Sequence, residues 1–110
     1  MTIIGPEAPL SAGIVDYLYR KRIYNVFGPV QSAALLESDK FFSYALMQYL
    51  LIPQAHSMKC TNVEDAKRAI PMMINEAGVV IKSRGLTAGK GVTVCNNSRE
   101  AMKAVNAHAA

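Results

Sequence analysis

The clearest hydrophobic pattern in the chain lies between Val79 and Val94. An apolar run ends at Lys82, and after a glycine-containing loop the chain returns to the alternation Val92-Thr93-Val94. Apolar β-formers on both sides of a glycine-containing loop are typical of a hairpin. This stretch is therefore predicted to form two strands joined by a loop.

The first part of the chain predicts a strand–helix–strand unit. Residues 2–4 read as a short buried strand, and Ser11 is expected to cap a helix that ends at 20–22. A second strand is predicted at 23–27 before Gly28-Pro29. If the two strands are parallel, the connection between them should be right-handed.

Two helices are predicted next. The first covers 30–36, with Ala33, Leu35 and Leu36 facing inward, and the second covers 39–50, with Ser38 as its cap.

The rest of the chain before the hairpin predicts a weak strand at 54–60 and a further helix. Thr61 and Glu64 have capping-box spacing, and the helix should reach about residue 73, with Pro71 ending its regular part near Ile70. After the hairpin, Asn97 and Glu100 mark the start of a last helix. The alternation of strands and helices predicts an α/β or α+β fold.

Composition limits the possible partners. The chain has 110 residues, is 51% hydrophobic and 18% charged, and has a net charge of +4, which is ordinary for a globular domain. Its dense cationic cluster, 20–22, complements the end of a helix and is too short for a nucleic-acid surface. We therefore expect phosphorylated small molecules as partners, with no nucleic acid and no membrane.

The cysteines and the lack of a leader predict the compartment. Cys60 and Cys95 are far apart and outside any C-x-x-C spacing, which is typical of reduced thiols and predicts no zinc site. No signal peptide and no apolar run near the length of a membrane span is visible. The expected localisation is cytoplasmic.

The loop of the predicted hairpin has the chemistry of a polyphosphate site. It carries Gly85, Gly89 and Gly91, which allow close approach of backbone N–H groups, and Lys82 and Lys90, which supply positive charge. It is not a Walker A loop, because three residues rather than four separate the first two glycines and a strand follows in place of a helix. An ordinary hairpin loop with solvated or snorkelling lysines stays open as an alternative.

Other candidate residues are weaker when taken alone. Lys40 starts a helix and could be simply solvated, and Gly5-Pro6-Glu7 lies between a strand and a helix, where α/β folds bind anionic or sugar-like ligands. A capping role for Glu7 is equally open. His56 and His108 have no carboxylate or cysteine at a useful spacing and are interpreted as structural or incidental.

Three motifs in order resemble the phosphoribosylamine–glycine ligase (glycinamide ribonucleotide synthetase) family of the ATP-grasp superfamily. They are TIIGPEAPLSAGIVD at 2–16, FGPVQSAALLESDKFF at 27–42 and IKSRGLTAGKGVTV at 81–94. The resemblance implies a cytoplasmic ligase of purine biosynthesis that uses ATP and Mg²⁺. Such an enzyme joins glycine to 5-phosphoribosylamine through a glycyl phosphate.

By matched position, the resemblance also assigns residues. Lys40 and Lys82 would touch the ATP phosphates, the segment 85–91 would be a mobile flap with Gly85, Gly89, Lys90 and Gly91, and Gly5, Pro6 and Glu7 would lie on the phosphoribosylamine side. Ser83-Arg84 departs from the family, which commonly has Ala-Asp or Ala-Ser after the lysine.

The resemblance implies a piece of a longer enzyme. The expected parts are the end of a Rossmann-like substrate domain (1–28), a helical connector (29–53) and the small α+β subdomain of an ATP-grasp fold (54–110). The magnesium ligands and the adenine clamp would lie outside this chain. We therefore expect the chain alone to be catalytically inactive, and its exposed core faces would allow self-association. A piece of another ATP-grasp ligase or carboxylase, or a non-catalytic nucleotide-binding module, are the alternative interpretations.

Overall fold

Helices and strands alternate in this computed structural model, which describes residues 1–87 and 89–109. Ala88, in the glycine-containing loop, and Ala110 lie outside the described residues. In chain order the elements are β1 (Thr2–Ile3), α1 (Glu7–Ser11), α2 (Ile14–Arg20), β2 (Val26–Phe27), α3 (Gln31–Ser38), α4 (Lys40–Tyr49), α5 (Val63–Met73), β3 (Val79–Lys82), β4 (Val92–Cys95) and α6 (Ser98–Ala109). The predicted mixture of α and β structure is confirmed. The chain divides into two compact units, 1–52 and 53–110, each of which is described by itself.

The 1–52 unit is built on a short parallel strand pair. Thr2 pairs with Val26 and Ile3 with Phe27, so the two predicted strands are present and parallel. Both are shorter than predicted, two helices rather than one connect them, and β1 is exposed rather than buried. A small core lies beneath them, and its buried members are Leu10, Val15 and Ala34.

The helix starts in this unit differ from the predictions. Ser11 is not a cap but the last residue of α1, a helix that was not predicted, and α2 begins after Gly13. The cap of α4 is Asp39 rather than Ser38, because its Oδ1 accepts hydrogen bonds from the N–H groups of Phe41 (2.9 Å) and Phe42 (3.3 Å). A carboxylate one residue nearer to the helix satisfies two of the free N–H groups of the first turn.

The apolar face of α3 was also predicted wrongly. The buried residue is Ala34, whereas Leu35 and Leu36 are 36% and 52% exposed and Ala33 is exposed. The small side chain allows α3 to approach α1 closely, and the larger leucines are left towards solvent.

Two helices of this unit end in Schellman motifs that lack the usual glycine. After α2, Arg22 has φ 59°, its N–H donates to Tyr19 O, and the N–H of Ile23 donates to Leu18 O. After α4, Leu51 has φ 55° and is 87% exposed. The equivalent hydrogen bonds run from the N–H of Leu51 to Gln48 O and from the N–H of Ile52 to Met47 O. The left-handed position of this motif favours glycine, because a Cβ there meets the following carbonyl.

We therefore expect Arg22→Gly and Leu51→Gly each to stabilise the 1–52 unit by about 0.5–1 kcal/mol, the relief of strain less the entropy cost of glycine. The measurement is urea unfolding followed by tyrosine fluorescence, because all five tyrosines lie in this unit. Lys21→Gly is the control, since Lys21 has φ −84° and gains nothing from glycine. A loss of stability in either variant equal to that of the control would contradict the strain argument.

The 53–110 unit is an antiparallel hairpin packed on two helices. The predicted hairpin is confirmed, with β3 and β4 paired from Val79↔Cys95 to Lys82↔Val92. The core under it buries Ile70 of α5, Cys95 of β4, and Ala101, Ala104 and Val105 of α6.

The approach to the hairpin corrects three predictions. Residues 54–60 form no strand. The cap of α5 is Asn62, whose Oδ1 accepts a hydrogen bond from the N–H of Asp65 at 2.8 Å, while Thr61 bonds the Asp65 carboxylate. Pro71 does not end α5, because the helix continues to Met73 and the N–H of Ile74 still donates to Ile70 O.

The start of α6 is as predicted. Asn97 Oδ1 accepts a hydrogen bond from the N–H of Glu100 at 3.0 Å, and the Glu100 carboxylate accepts one from the N–H of Asn96 at 2.8 Å. This reciprocal pair satisfies N–H groups at the end of β4 and in the first turn of α6. Within the described residues, no helix is both long and apolar enough to cross a membrane.

Candidate functional site

The base of the hairpin loop is closed by backbone hydrogen bonds. The N–H of Ser83 donates to Gly91 O at 2.8 Å, which extends the strand ladder one step beyond the Lys82↔Val92 pair. Within the loop, the N–H of Lys90 donates to Thr87 O at 3.0 Å. The two ends of the loop, Ser83 and Gly91, are therefore held together by a backbone hydrogen bond next to Lys82.

The two faces of the hairpin have different roles. Side chains alternate along a strand, so one face packs on the helices and the other points away. The outer face carries three exposed valines, Val80 (45%), Val92 (49%) and Val94 (67%), and ends at the exposed Lys82. An apolar surface thus adjoins an ammonium group at the start of the glycine-containing loop.

Two of the loop glycines are required by the local geometry. Gly89 has φ +80°, in the left-handed region that favours glycine. Gly91 is buried, and a Cβ added there would overlap the side chain of Thr87. Gly85 has open space around it. The local backbone geometry therefore requires glycine at positions 89 and 91, but a Cβ would fit at position 85.

The lysines of the hairpin are available for an anion. Lys82 and Lys90 are exposed, and neither makes an ion pair with any of residues 1–87 or 89–109. Other cations of the same unit do form ion pairs, such as Lys67 with Glu64 and Arg68 with Asp65 on α5. Arg84 is exposed as well, so three cationic side chains belong to one short segment.

The remaining predicted site residues lie in the other unit. Lys40 is the first residue of α4 and half-buried, directly after the cap Asp39. Gly5, Pro6 and Glu7 connect β1 to α1, and Glu7 forms no side-chain cap there. The hairpin thus brings together Lys82, Gly85, Gly89, Lys90 and Gly91, while Lys40 and the 5–7 segment belong to the 1–52 unit.

Sequence reasoning gave His108 no specific partner, and the structure supplies two. Its Nδ1 lies 2.9 Å from Ser83 Oγ, and its Nε2 lies 2.9 Å from Thr93 Oγ1. These contacts span 25 and 15 residues of sequence, and no local spacing pattern could have found them.

The thiols are not set up for chemistry. Burial, and then the Glu100 carboxylate, raises the pKa of Cys95, and burial, and then Asp65, raises the pKa of Cys60. A raised pKa keeps a thiol protonated and weakly nucleophilic at neutral pH. Both cysteines are free.

The described residues do not fit a metal centre. Across 1–87 and 89–109 there is no cluster of three or more His, Cys, Asp or Glu side chains that could hold an ion. A recess of about 320 Å³ opens between β4 and α6, lined in part by Glu100 and Lys103, and it is not formed by the glycine-containing loop.

Family models and relatives match nearly the whole chain. The model described as "Phosphoribosylglycinamide synthetase, N domain" matches residues 1–37, and that described as "Phosphoribosylglycinamide synthetase, ATP-grasp (A) domain" matches residues 38–109. Proteins named phosphoribosylamine–glycine ligase are similar over 96% of the chain, with 45% identity in Ralstonia nicotianae and 46% in Pseudomonas aeruginosa. The match covers 24% of each of these relatives, so the chain spans about a quarter of their length.

A solved structure agrees with these matches. The crystal structure of the phosphoribosylamine–glycine ligase from Thermotoga maritima superposes with a TM-score of 0.65 at 30% identity, and covers 72% of this chain and 20% of that one. The likeness therefore extends from sequence motifs to backbone geometry.

Proposed function

Because this chain belongs to the phosphoribosylglycinamide synthetase family, we propose that it carries part of the ATP-binding apparatus of an ATP-dependent carbon–nitrogen ligase of purine biosynthesis. The reaction of the whole enzyme would convert ATP, glycine and 5-phosphoribosylamine to ADP, phosphate and glycinamide ribonucleotide. The glycine carboxylate would take the γ-phosphoryl group, and the amine of phosphoribosylamine would then displace phosphate from the glycyl phosphate.

The observation that carries this proposal is the outer face of the hairpin. Its three valines offer an apolar surface for a purine ring, and Lys82 lies at the edge of that surface beside a glycine-containing loop. Phosphoryl transfer depends mainly on positioning and on charge neutralisation. The proposed role of Lys82 and Lys90 is to neutralise phosphate oxygens, and that of the 85–91 segment is to donate backbone N–H groups.

We propose the remaining roles from the family motifs. Lys40 would be the second lysine on the ATP phosphates, and Gly5, Pro6 and Glu7 would lie on the phosphoribosylamine side. Residues 1–28 would be the end of a Rossmann-like domain, 29–53 a helical connector, and 54–110 the small ATP-grasp subdomain. Mg²⁺ would supply further charge neutralisation, but no ligand for it is assigned to this chain.

Self-association through exposed apolar faces stays a prediction. In the 1–52 unit, Ile3 and Phe27 of the parallel strand pair are 65% and 68% exposed, and parallel strands are normally covered on both faces.

Replacing Lys82 tests the proposal. If the 110-residue chain binds ATP through this hairpin, Lys82→Ala should weaken the binding at least about tenfold, because a charged hydrogen bond to phosphate contributes roughly 1.5–3 kcal/mol. Isothermal titration calorimetry of the purified chain with ATP, with and without Mg²⁺, measures the dissociation constant.

Lys103→Ala is the matched control for this experiment, because Lys103 is an exposed lysine of the same unit on α6. The proposal fails if the folded chain shows no ATP binding at millimolar concentration, or if Lys82→Ala and Lys103→Ala bind ATP equally well. ATP binding that needs no Mg²⁺ and is lost in Lys82→Ala would favour a non-catalytic nucleotide-binding module.

A further inference from the structure

His108, near the end of α6, is held at both of its ring nitrogens by hydroxyl groups of the hairpin. The Ser83 Oγ and Thr93 Oγ1 atoms each lie 2.9 Å from the ring, and all three residues are half-buried. We call these three residues the hydroxyl–imidazole bridge.

Both hydrogen bonds of the bridge can form whichever nitrogen of the His108 ring carries the proton. A neutral imidazole has one N–H donor and one acceptor nitrogen, and a hydroxyl can take either role. One hydroxyl therefore donates to the ring and the other accepts from it, and exchanging the tautomer exchanges these roles without losing a bond. Both contacts can persist together, so the ring is fixed in orientation.

The bridge is placed where the loop leaves the strands. Ser83 follows Lys82 directly, and its N–H is already bonded to Gly91 O. Thr93 lies on β4, opposite Ile81 of β3. His108 therefore connects both sides of the hairpin, at the base of its loop, to the helix packed beneath them.

This position has a consequence for Lys82. With Ser83 held through both its backbone and its side chain, the residue before it has little freedom to change its direction. Gly85 and Gly89 lie between Ser83 and Gly91, and glycine loses more backbone freedom on ordering than other residues do. A binding site whose elements are ordered beforehand loses less entropy when the ligand binds.

We propose that the hydroxyl–imidazole bridge preorganises the loop and Lys82 for the phosphates of a nucleotide, with His108 and Ser83 as positioning residues. This inference rests on the proposed function of the hairpin. It gives a role to Ser83 and to His108, neither of which belongs to the predicted site.

Removing one hydroxyl tests the bridge. Ser83→Ala should raise the dissociation constant for ATP about three- to tenfold, the effect of one hydrogen bond of ordinary strength. It should also speed amide hydrogen exchange at Ser83 and Lys90, whose N–H groups close the loop. Thr93→Val should act in the same direction, and Ser83→Thr, which keeps a hydroxyl, should restore both readouts.

The control is Ser57→Ala, which removes a hydroxyl in the same unit far along the chain from the hairpin and should change neither readout. A bridge that merely stabilised the fold would lower the unfolding temperature and leave ATP affinity unchanged at temperatures where the unit is folded. That outcome, or unchanged exchange at Ser83 and Lys90, overturns the positioning role. Absence of ATP binding by the unaltered chain overturns the proposed function together with it, whereas binding that Ser83→Ala leaves intact overturns the positioning role alone.

Discussion

Gly78→Ala is expected to lower the free energy of unfolding of the 53–110 unit by about 2–4 kcal/mol, the combined cost of a left-handed backbone and of an overpacked contact. Gly78 has φ +88°, and a Cβ added to it would overlap the carbonyl oxygen of Cys95. The obstacle is backbone in the neighbouring strand, which cannot rotate aside as a side chain would. The turn from Asn75 to Gly78 and the register of β3 would both have to shift.

Hydrogen exchange of β4 and α6 amides in the full chain is the suitable measurement, since this unit contains no tyrosine, tryptophan or phenylalanine. Gly85→Ala is the matched control, because a Cβ at Gly85 meets open space. Equal exchange rates in the two variants would show that the close approach at Gly78 does not restrict the hairpin.

Ile70→Ala is expected to cost about 2–5 kcal/mol, the range for truncating a large buried aliphatic side chain. Ile70 is 1% exposed and is the largest fully buried side chain of the chain's described part. A unit of this size has roughly 3–9 kcal/mol of stability in total, so the variant should be largely or partly unfolded.

The control for Ile70→Ala is Met72→Ala, which truncates a side chain of the same helix that is 74% exposed. The same exchange experiment should show little change for it. If the amides of α6 stay protected from hydrogen exchange in Ile70→Ala, the stability of this core does not depend on the packing of α5.

How well the sequence predicted the fold depended on how local the signal was. The hairpin and the start of α6 were predicted correctly, because each signal is local. The alternation of the strands and the Asn97–Glu100 pair each involve residues only a few positions apart. The start of α2 was wrong, because Ser11 and Gly13 both suit a helix boundary and α1, only five residues long, has no clear periodicity. The predicted end of α5 near residue 73 was right, but the predicted break of its regular part at Ile70 was wrong, because the helix continues through Pro71.

The candidate site was likewise predicted only where its residues are close in sequence. Lys82 and the glycines of the loop were expected to lie together since they are neighbours in sequence, and the hairpin places them so. Whether they bind ATP stays a prediction, as does the role of Lys40. The partners of His108 depend on how α6 packs against β3 and β4, which no spacing within the sequence expresses.

The two strand pairs also differ in how far along the chain their partners lie. The antiparallel pair β3–β4 closes across a loop of fewer than ten residues, an event of about 1–10 μs for a hairpin. The parallel pair β1–β2 must bring Ile3 to Phe27 across two intervening helices, and pairing over such a separation is slower because the closure entropy is lost before contacts form. We therefore expect the hairpin to form early in folding and the parallel pair to form later, after the helices between its strands.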